Sequence, residues 1–503
     1  MHWADAFASK LSGEQLVSTG ISPSGHIHIG NMREILTGDM IFRASLDAGL
    51  KTRFIYLCDD MDPLRKVYPF LNAEYAQYVG KPLFSIPAPD GGAKPYSEYF
   101  LAPFIDVLKR VGVNVEIIRT RDLYAGGVFE EAIDMAMKNS SLIRDILEKV
   151  SGRKIEGEWF PYNPICSSCG RINSTSVISY ERPFVKYRCK CGNEGKSDIR
   201  KAEGKMPWRI EWPAKWFALG VTVEPFGKDH GAPGGSYDTG KMIAEQIYKI
   251  EAPDYLIYER ILLKGKGAMH SSTGNVIPAY EMTEFSPPEI LRYLIARVHP
   301  NRHIDFDPGN GLLSLIDEFE GLFQSIKSGE PVEEDRKRSL ELSLPPGSHY
   351  EEKVSFRHLV TLVQIYTTDQ SLDISLKRSG VRDGIGATGM ADRIRVVREW
   401  ISRYAPESMK FNLLPEGEKV SIEKPQKNIL SEFLCKMDSI QWDSNTIHNE
   451  IHDIIGSTGL DPKTGFASFY MALIGKDKGP RLGYFLSNLD KDYLRKRLSE
   501  CSA

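Results

Sequence analysis

The stretch Gln15-Leu-Val-Ser-Thr-Gly20-Ile-Ser-Pro-Ser-Gly25-His-Ile-His-Ile-Gly30-Asn31 decides how this chain folds. Gln15 to Thr19 reads as a strand, the three glycines punctuate a turn, and from Asn31 to Ala48 apolar residues recur at spacings of three and four, the period of a helix. A strand that feeds a helix through a Gly-rich turn is the opening unit of a parallel α/β sheet. The positive N-terminus of such a helix, with its free backbone N–H groups, is a binding place for phosphate. His26 and His28 add donors that can follow charge onto a phosphoryl oxygen. Taken alone, the turn also reads as an ordinary helix start with a capping histidine.

The same alternation continues outward. Thr52 to Cys58, Val113 to Thr120, Thr222 to Phe226 and Tyr255 to Leu263 read as strands, and Tyr99 to Val111, Ser140 to Val150 and Tyr237 to Ile250 as helices. The spacing therefore predicts a doubly wound α/β domain over residues 1–151 and 208–277. Residues 152–207, rich in Cys, Gly and Lys, interrupt it and read as an insertion with a metal core. Residues 278–330 form a connecting region. Beyond it, residues 331–503 read as helical, with helices at Phe356 to Tyr366, Met390 to Tyr404 and Asn445 to Ile455.

Inside the insertion, Cys166-Ser-Ser-Cys169 and Cys189-Lys-Cys191 make a four-thiolate set of the kind that takes tetrahedral zinc. A rubredoxin-like iron site is the other reading that the tight second pair leaves open. The remaining cysteines, Cys58, Cys435 and Cys501, stand alone, so a disulfide framework is not expected and a reducing cytoplasm fits. The 503 residues are 41% apolar and 26% charged, an ordinary globular composition with room for about three domains. A net charge of −3 excludes histone-like or basic-tail readings. No stretch approaches the roughly 18 apolar residues of a membrane span, and the first residues show no apolar leader.

His28-Ile29-Gly30-Asn31 resembles the "HIGH" signature of class I aminoacyl-tRNA synthetases, and the run Pro23 to Ile35 resembles the class I lysyl-tRNA synthetases in particular. Tyr56 to Lys66, Trp212-Pro-Ala-Lys-Trp216, Glu224 to His230, Arg292 to Arg297, Pro300 to Gly309 and Gly479-Pro-Arg-Leu-Gly483 are similar to that family in the same order. The resemblance implies a Rossmann-like catalytic domain, a zinc-binding insertion near the acceptor end of tRNA, and an all-α C-terminal anticodon-binding domain. It implies an enzyme that activates L-lysine with ATP and Mg²⁺ and transfers it to tRNA(Lys), with no membrane partner. The oligomeric state is left open, a monomer being the simpler expectation.

On this resemblance His28 and His26 act at the phosphates, and Pro23, Ser24, Gly25, Gly30 and Asn31 form the ATP site. Gly20, Ser22, Asp59, Asp229, Trp216 and His230 are expected around lysine, whose buried ammonium needs anionic, polar or aromatic partners. The second signature departs from the family. Where a Lys-Met-Ser-Lys-Ser-like loop is expected, the chain has Ala268-Met269-His270-Ser271-Ser272-Thr273-Gly274-Asn275. Met269, Ser271 and Ser272 keep the loop's place in the ATP site, and Lys264 and Lys266 are the nearest replacements for its two missing lysines. That departure keeps alternatives in view: a class I synthetase for another amino acid, or a non-catalytic tRNA-binding paralogue. For tRNA, Arg481, Tyr484 and Phe485 are the expected contacts. Basic runs at Arg393 to Arg398 and Lys491 to Arg497, with Trp400, Tyr404 and Tyr493 nearby, are further patches that also read as plain solvated helix faces.

Overall fold

The Gly-rich turn does join a strand to a helix. In a computed structural model that describes every residue except 153, 156, 270–275, 348, 349 and 352, β1 spans Gln15–Ile21 and α1 spans Ile29–Asp47. With β2 (Thr52–Cys58), β3 (Glu116–Arg119), β4 (Val223–Gly227) and β5 (Asp254–Tyr258), β1 forms a five-stranded parallel sheet of order β5-β4-β1-β2-β3. The chain builds one side of the sheet through β3 and the other from β4. The topological switch point, where ligands bind in such sheets, therefore lies at the carboxyl ends of β1 and β4. Gly20 pairs with Leu57 there, and a Cβ at Gly20 would stand 2.8 Å from the Leu57 carbonyl oxygen, which is why glycine holds the position.

The strand expected over Tyr255 to Leu263 divides. After β5 the Glu259 N–H donates to Pro300, and Ile261–Leu263 leaves the sheet to pair with Ile304–Phe306 and Gly267–Ala268. Helix α2 (Tyr96–Arg110) and helix α3 (Trp208–Leu219) begin close to their expected or motif positions, α3 ending at Gly220 in the left-handed conformation at φ 70°.

The insertion is more than a metal knuckle. Thr175–Glu181, Phe184–Cys189 and Glu194–Asp198 form an antiparallel sheet, and Asn163–Pro164 pairs with Gly204–Lys205. Val185, Ile199 and Met206 join the apolar core that includes Ile55, Leu57 and Ile133 of the catalytic domain. The expectation of a purely metal core is corrected on this point: alternate strand residues face the catalytic domain, and their burial holds the insertion as well.

Two compact units divide the chain. The first comprises residues 1–283, 288–306 and 322–348, and the second residues 284–287, 307–321 and 349–503. The second is helical, with Phe356–Ile365, Met390–Arg403, Ser444–Thr458 and Lys491–Ser502 among its helices and Ile451, Phe469, Leu473 and Phe485 in its core. Residues 331–348, expected with the helical region, cluster with the first unit because Arg43 and Arg292 bond the carbonyl of Leu342 at 2.8 Å. No helix among the described residues is long and apolar enough to cross a membrane.

Candidate active site

Side chains from five segments converge at the switch point. A small cavity is bounded by Gly20 of β1, Leu57 and Asp59 at the end of β2, Glu224 and Phe226 of β4, Glu34 of α1, Trp208, Trp212 and Lys215 of α3, and His230. Trp208, Trp212 and Trp216 repeat at the four-residue spacing that aligns side chains along one helix face. Trp208 and Trp212 stack with centroids 5.2 Å apart, and the His230 ring stands 5.1 Å from Trp208 and 5.7 Å from Trp212. Burial holds His230 below its usual pKa, so it is neutral at pH 7.

The electrostatics of the cavity are acidic. Glu34 accepts from the Gly20 N–H and from the Tyr258 hydroxyl, both at 2.8 Å, and Glu224 accepts from Trp216 Nε1 at 2.5 Å. Burial pushes both carboxyls up to about 7, and their hydrogen bonds offset only part of that rise. Behind them Lys205 pairs with Asp62 at 2.5 Å and with Glu211 at 3.1 Å, while Lys215 pairs with Asp59 and lies 3.4 Å from Glu211. Asp62 stays below the usual carboxyl range: burial alone would raise it, but the Lys205 ammonium and the Ser22 hydroxyl override that. Asp59, Asp62 and Glu211 thus share two ammonium groups, while Glu34 and Glu224 line the cavity in front of them, held by hydrogen bonds.

A second cavity of about 240 Å³ opens beside it, lined by Ser22, Ser24, Gly25, His26, His28 and Asn31 on one wall and by Asp62, Arg65 and Tyr68 on the other. His28 is the N-cap of α1, and its N–H donates to Asn31 Oδ1 at 3.1 Å. A Cβ on Gly30 would come within 2.9 Å of the His28 ring, so glycine lets the imidazole fold over the helix start. Tyr96 fixes the loop by donating to the Ser24 carbonyl at 2.7 Å. His26 lies half-buried with its ring 5.0 Å from Phe100 and 5.6 Å from Tyr280, and burial keeps its pKa below the usual value. Pro23 is buried in the turn.

The second signature loop is tied to the first on both flanks. The Ile29 N–H donates to Ile277 at 3.1 Å and the Ala279 N–H to Ile27 at 2.8 Å. On the other flank, Met269 Cε would lie 3.5 Å from a Cβ on Gly30. Lys264 and Lys266 are exposed on the turn between Ile261–Leu263 and Gly267–Ala268. Ser271 and Ser272, with His270, lie outside the described residues.

Several expected lysine contacts are placed elsewhere. Asp59 lines the cavity, but its Oδ1 is committed to Lys215 and to the Thr120 hydroxyl at 2.8 Å. Asp229 is exposed and pairs with Arg260 at 2.6 Å, because the chain turns after β4 with the His230 N–H bonded to Gly227. Trp216 is fully buried behind Trp212, where it orients Glu224. Glu34, Glu224 and Trp208 were not among the residues singled out. Spacing marks Trp208, four residues before Trp212, whereas the two glutamates lie within the family-like stretches Pro23 to Ile35 and Glu224 to His230 with no spacing of their own to assign them to a cavity.

In the insertion the four sulfurs of Cys166, Cys169, Cys189 and Cys191 lie within 4.8 Å of one another, with Cys166–Cys191 at 3.7 Å and Cys169–Cys189 at 3.6 Å. A tetrahedral site with metal–sulfur bonds of about 2.3 Å has sulfur–sulfur edges near 3.8 Å, which the two shortest pairs match, so the cluster could hold a metal ion. Ser174 Oγ stands 3.2 Å from Cys189 Sγ, and Asn193 Nδ2 donates to Cys166 Sγ at 3.5 Å, partners of the kind that orient metal ligands.

In the helical unit a cavity of about 440 Å³ is lined by Arg481, Tyr484, His358, Arg357, Gln364 and Ser444, among others. Phe485 is fully buried in the core and cannot serve as a tRNA contact. The two basic runs are internally paired: Arg393 with Glu320, Arg398 with Asp369 at 2.8 Å, and Arg495 with Asp438 at 2.8 Å, while Trp400 is buried.

A family model described as "tRNA synthetases class I (K)" matches residues 1–345, and one described as "Anticodon binding domain" matches residues 392–501. The lysine–tRNA ligase of Thermoplasma volcanium is 55% identical over 99% of this chain and 98% of its own length. That of Picrophilus torridus is 55% identical over 100% and 99%, and that of Archaeoglobus fulgidus 42% identical over 99% of each chain. With the parallel sheet, the His28-Ile-Gly-Asn31 helix start and the helical unit in their expected places, this chain belongs to the lysine-type class I tRNA synthetases.

Proposed function

We propose that this protein is a lysine–tRNA ligase, which joins L-lysine to the α-phosphate of ATP, releasing pyrophosphate, and then passes the lysyl group to the terminal adenosine of tRNA(Lys). The observation that carries the reading is the pair of buried carboxyls, Glu34 and Glu224, beside the faces of Trp208 and Trp212. An entering ammonium supplies the charge they lack and ionises them, whereas a glutamate side chain would meet carboxylates with no free cation opposite. Gly20 and Ser22 form the adjoining wall, with neutral His230 as an acceptor.

For activation, the lysine carboxylate attacks the α-phosphorus in line, so positioning and charge stabilisation supply most of the catalysis. His28, at the positive end of α1, donates to the phosphoryl oxygens as charge develops, with His26, Ser24, Gly25 and Asn31 alongside. Lys264 and Lys266 take over from the signature lysines missing in residues 268–275, and Met269 seats the loop against Gly30. Mg²⁺ accompanies the triphosphate through phosphate oxygens. Zinc is the metal proposed for the four thiolates. They leave no open coordination position, so its role is to hold the insertion on the acceptor side of tRNA. Arg481 and Tyr484 are proposed anticodon-side contacts, and the cytoplasm, where thiolates stay reduced, is the proposed compartment.

The test is aminoacylation of a tRNA(Lys) transcript by the purified protein with each of the twenty amino acids and ATP. Charging with lysine alone is expected. Charging with another amino acid, or tRNA binding with no charging at all, would overturn the proposal.

A further inference from the structure

Between the second strand and α2 the chain makes an aromatic strip beside the cavity lined by His26 and His28. Tyr68 lines that cavity and is 8% exposed. Phe70 stacks on it at 5.5 Å and an interplanar angle of 11°, yet remains 38% exposed. The His26 ring lies 6.1 Å from Phe70 and 5.6 Å from Tyr280, itself 36% exposed. Phe70 is thus the most exposed ring of an aromatic cluster that reaches His26, stacked on Tyr68 and edge-on to Phe100 at 5.5 Å.

Three features suit the strip to a ligand from outside. It is rigid: Leu64, Leu71, Tyr75, Leu83, Tyr96 and Phe100 form a buried core beneath it. It is flanked by cations: Arg65 lines the cavity, and Lys66 Nζ lies 5.8 Å from the centroid of Tyr68. It is continuous with the metal insertion: Arg171 Nε donates to the Val79 carbonyl at 3.1 Å and the Ile172 N–H to Gly80 at 2.8 Å, next to Cys169. An exposed ring with adjacent positive charge is the arrangement that holds an unstacked base and its phosphate in single-stranded nucleic acid.

We infer that the outer face of Phe70 receives the 3′-terminal adenine of the tRNA, with Arg65 and Lys66 meeting the adjoining phosphates. This rests on the proposed ligase activity, in which the terminal ribose hydroxyl must reach the lysyl carbonyl beside Ser22 and His26. The Ser24–Asn31 wall is then left to the phosphates of ATP, and the Asp62–Phe70 wall to the acceptor nucleoside. Phe70 is a positioning residue here. It takes no part in bond making, and its contribution is to hold the accepting ribose in place.

The experiment measures the affinity of the full-length protein, in the presence of lysine, for tRNA(Lys) transcript and for the same transcript lacking only its 3′ adenosine. A stacked base is worth a factor of about 5 to 150 in affinity, so the wild-type protein should prefer the complete tRNA by about tenfold. Phe70→Ala should reduce that preference to about twofold or less, with the KM for ATP and the zinc content unchanged, and Phe70→Tyr should restore it. Lys66→Ala should weaken both RNAs about equally, as a phosphate contact does. A Phe70→Ala protein that retains the full preference, or that loses ATP affinity instead, overturns the inference, the latter reassigning the strip to the adenine of ATP. Equal binding of both RNAs by a wild-type protein that charges lysine also overturns it while leaving the ligase reading intact. Failure of the wild-type protein to charge lysine would instead strike at that reading itself.

Discussion

Replacing Glu224 by glutamine keeps the size of the side chain and an oxygen for Trp216 Nε1, and removes only the charge the cavity can offer to an ammonium. In the empty cavity Glu224 sits at about 7 against an ordinary value of 4.5. Ionising it without a partner therefore costs about 3 kcal/mol. The sign follows from that rise. The protonated carboxyl is the form the empty fold favours, so its contribution to stability is fully present below the unfolded value near 4.5 and is lost as the pH climbs through about 7. Lysine reverses the balance by holding the carboxylate ionised, so binding below pH 7 releases a proton. For a group at 7 in the free protein and well below 6 in the complex, the KM for lysine should rise about tenfold between pH 8 and pH 6 for each such carboxyl. Burial lowers the pKa of both His26 and His230, and the Glu224→Gln comparison separates the carboxyl's contribution from theirs. In Glu224→Gln a charge-assisted hydrogen bond worth about 1.5–3 kcal/mol is lost, raising the KM for lysine about 10- to 150-fold at pH 8. The pH dependence should become shallower, since one of the two titrating groups is gone. The assay is aminoacylation of saturating tRNA(Lys) from pH 6 to 8, with the lysine-induced shift in Tm as a second readout. A KM changed by less than about threefold, with the wild-type pH profile retained, would refute the assignment of Glu224 as a partner of the ammonium.

Further outcomes follow from other parts of the molecule. His28→Ala should lower kcat by about a hundredfold or more with little loss of fold, measured as steady-state charging; unchanged turnover would reduce His28 to a helix cap. Cys166→Ala or Cys191→Ala should abolish stoichiometric zinc and lower the Tm, read by metal analysis and calorimetry, and full metal content in either variant would sink the four-thiolate site. Arg292 is fully buried, pairs with Asp39 at 2.5 Å and bonds the carbonyls of Leu342 and Val111. Arg292→Met should therefore destabilise the first unit by about 3–5 kcal/mol in urea unfolding, with the stranded Asp39 as the main cost; a loss under about 1 kcal/mol would show that the pair is dispensable.

The elements legible in the sequence were those whose signal is local. The β2 strand, the start of α1 and the helix at Met390 declare themselves through short-range periodicity and turn residues, so they could be read without knowing what they pack against. The insertion's strands were missed because Thr175–Glu181 mixes polar and apolar residues on both faces, and its partner strands supply the pattern it lacks. The basic runs at Arg393 and Arg495 show the limit of a reading from charge, which left them between a tRNA patch and a solvated helix face. Charge is visible in a sequence, but Glu320 and Asp438, which neutralise it, come from distant segments.

The candidate site divides along the same line. The Gly-rich turn, the two histidines and the four cysteines lie close together in the chain, and spacing alone was enough to group them by chemistry. The substrate cavity is assembled from residues brought together by strand order: Glu34 from the first helix, Glu224 from the fourth strand and Trp208 from the helix after the insertion. Whether a carboxylate binds a substrate or a lysine of its own chain depends on what faces it across the fold. Asp59 and Glu224 both follow or lie in strands of one sheet, yet Lys215 pairs directly with the first, while the second meets the indoles of Trp212 and Trp216 and carries a charge that burial suppresses. Pairing of buried charges is set by long-range geometry in a medium that penalises every unpaired one, and local sequence carries no record of it.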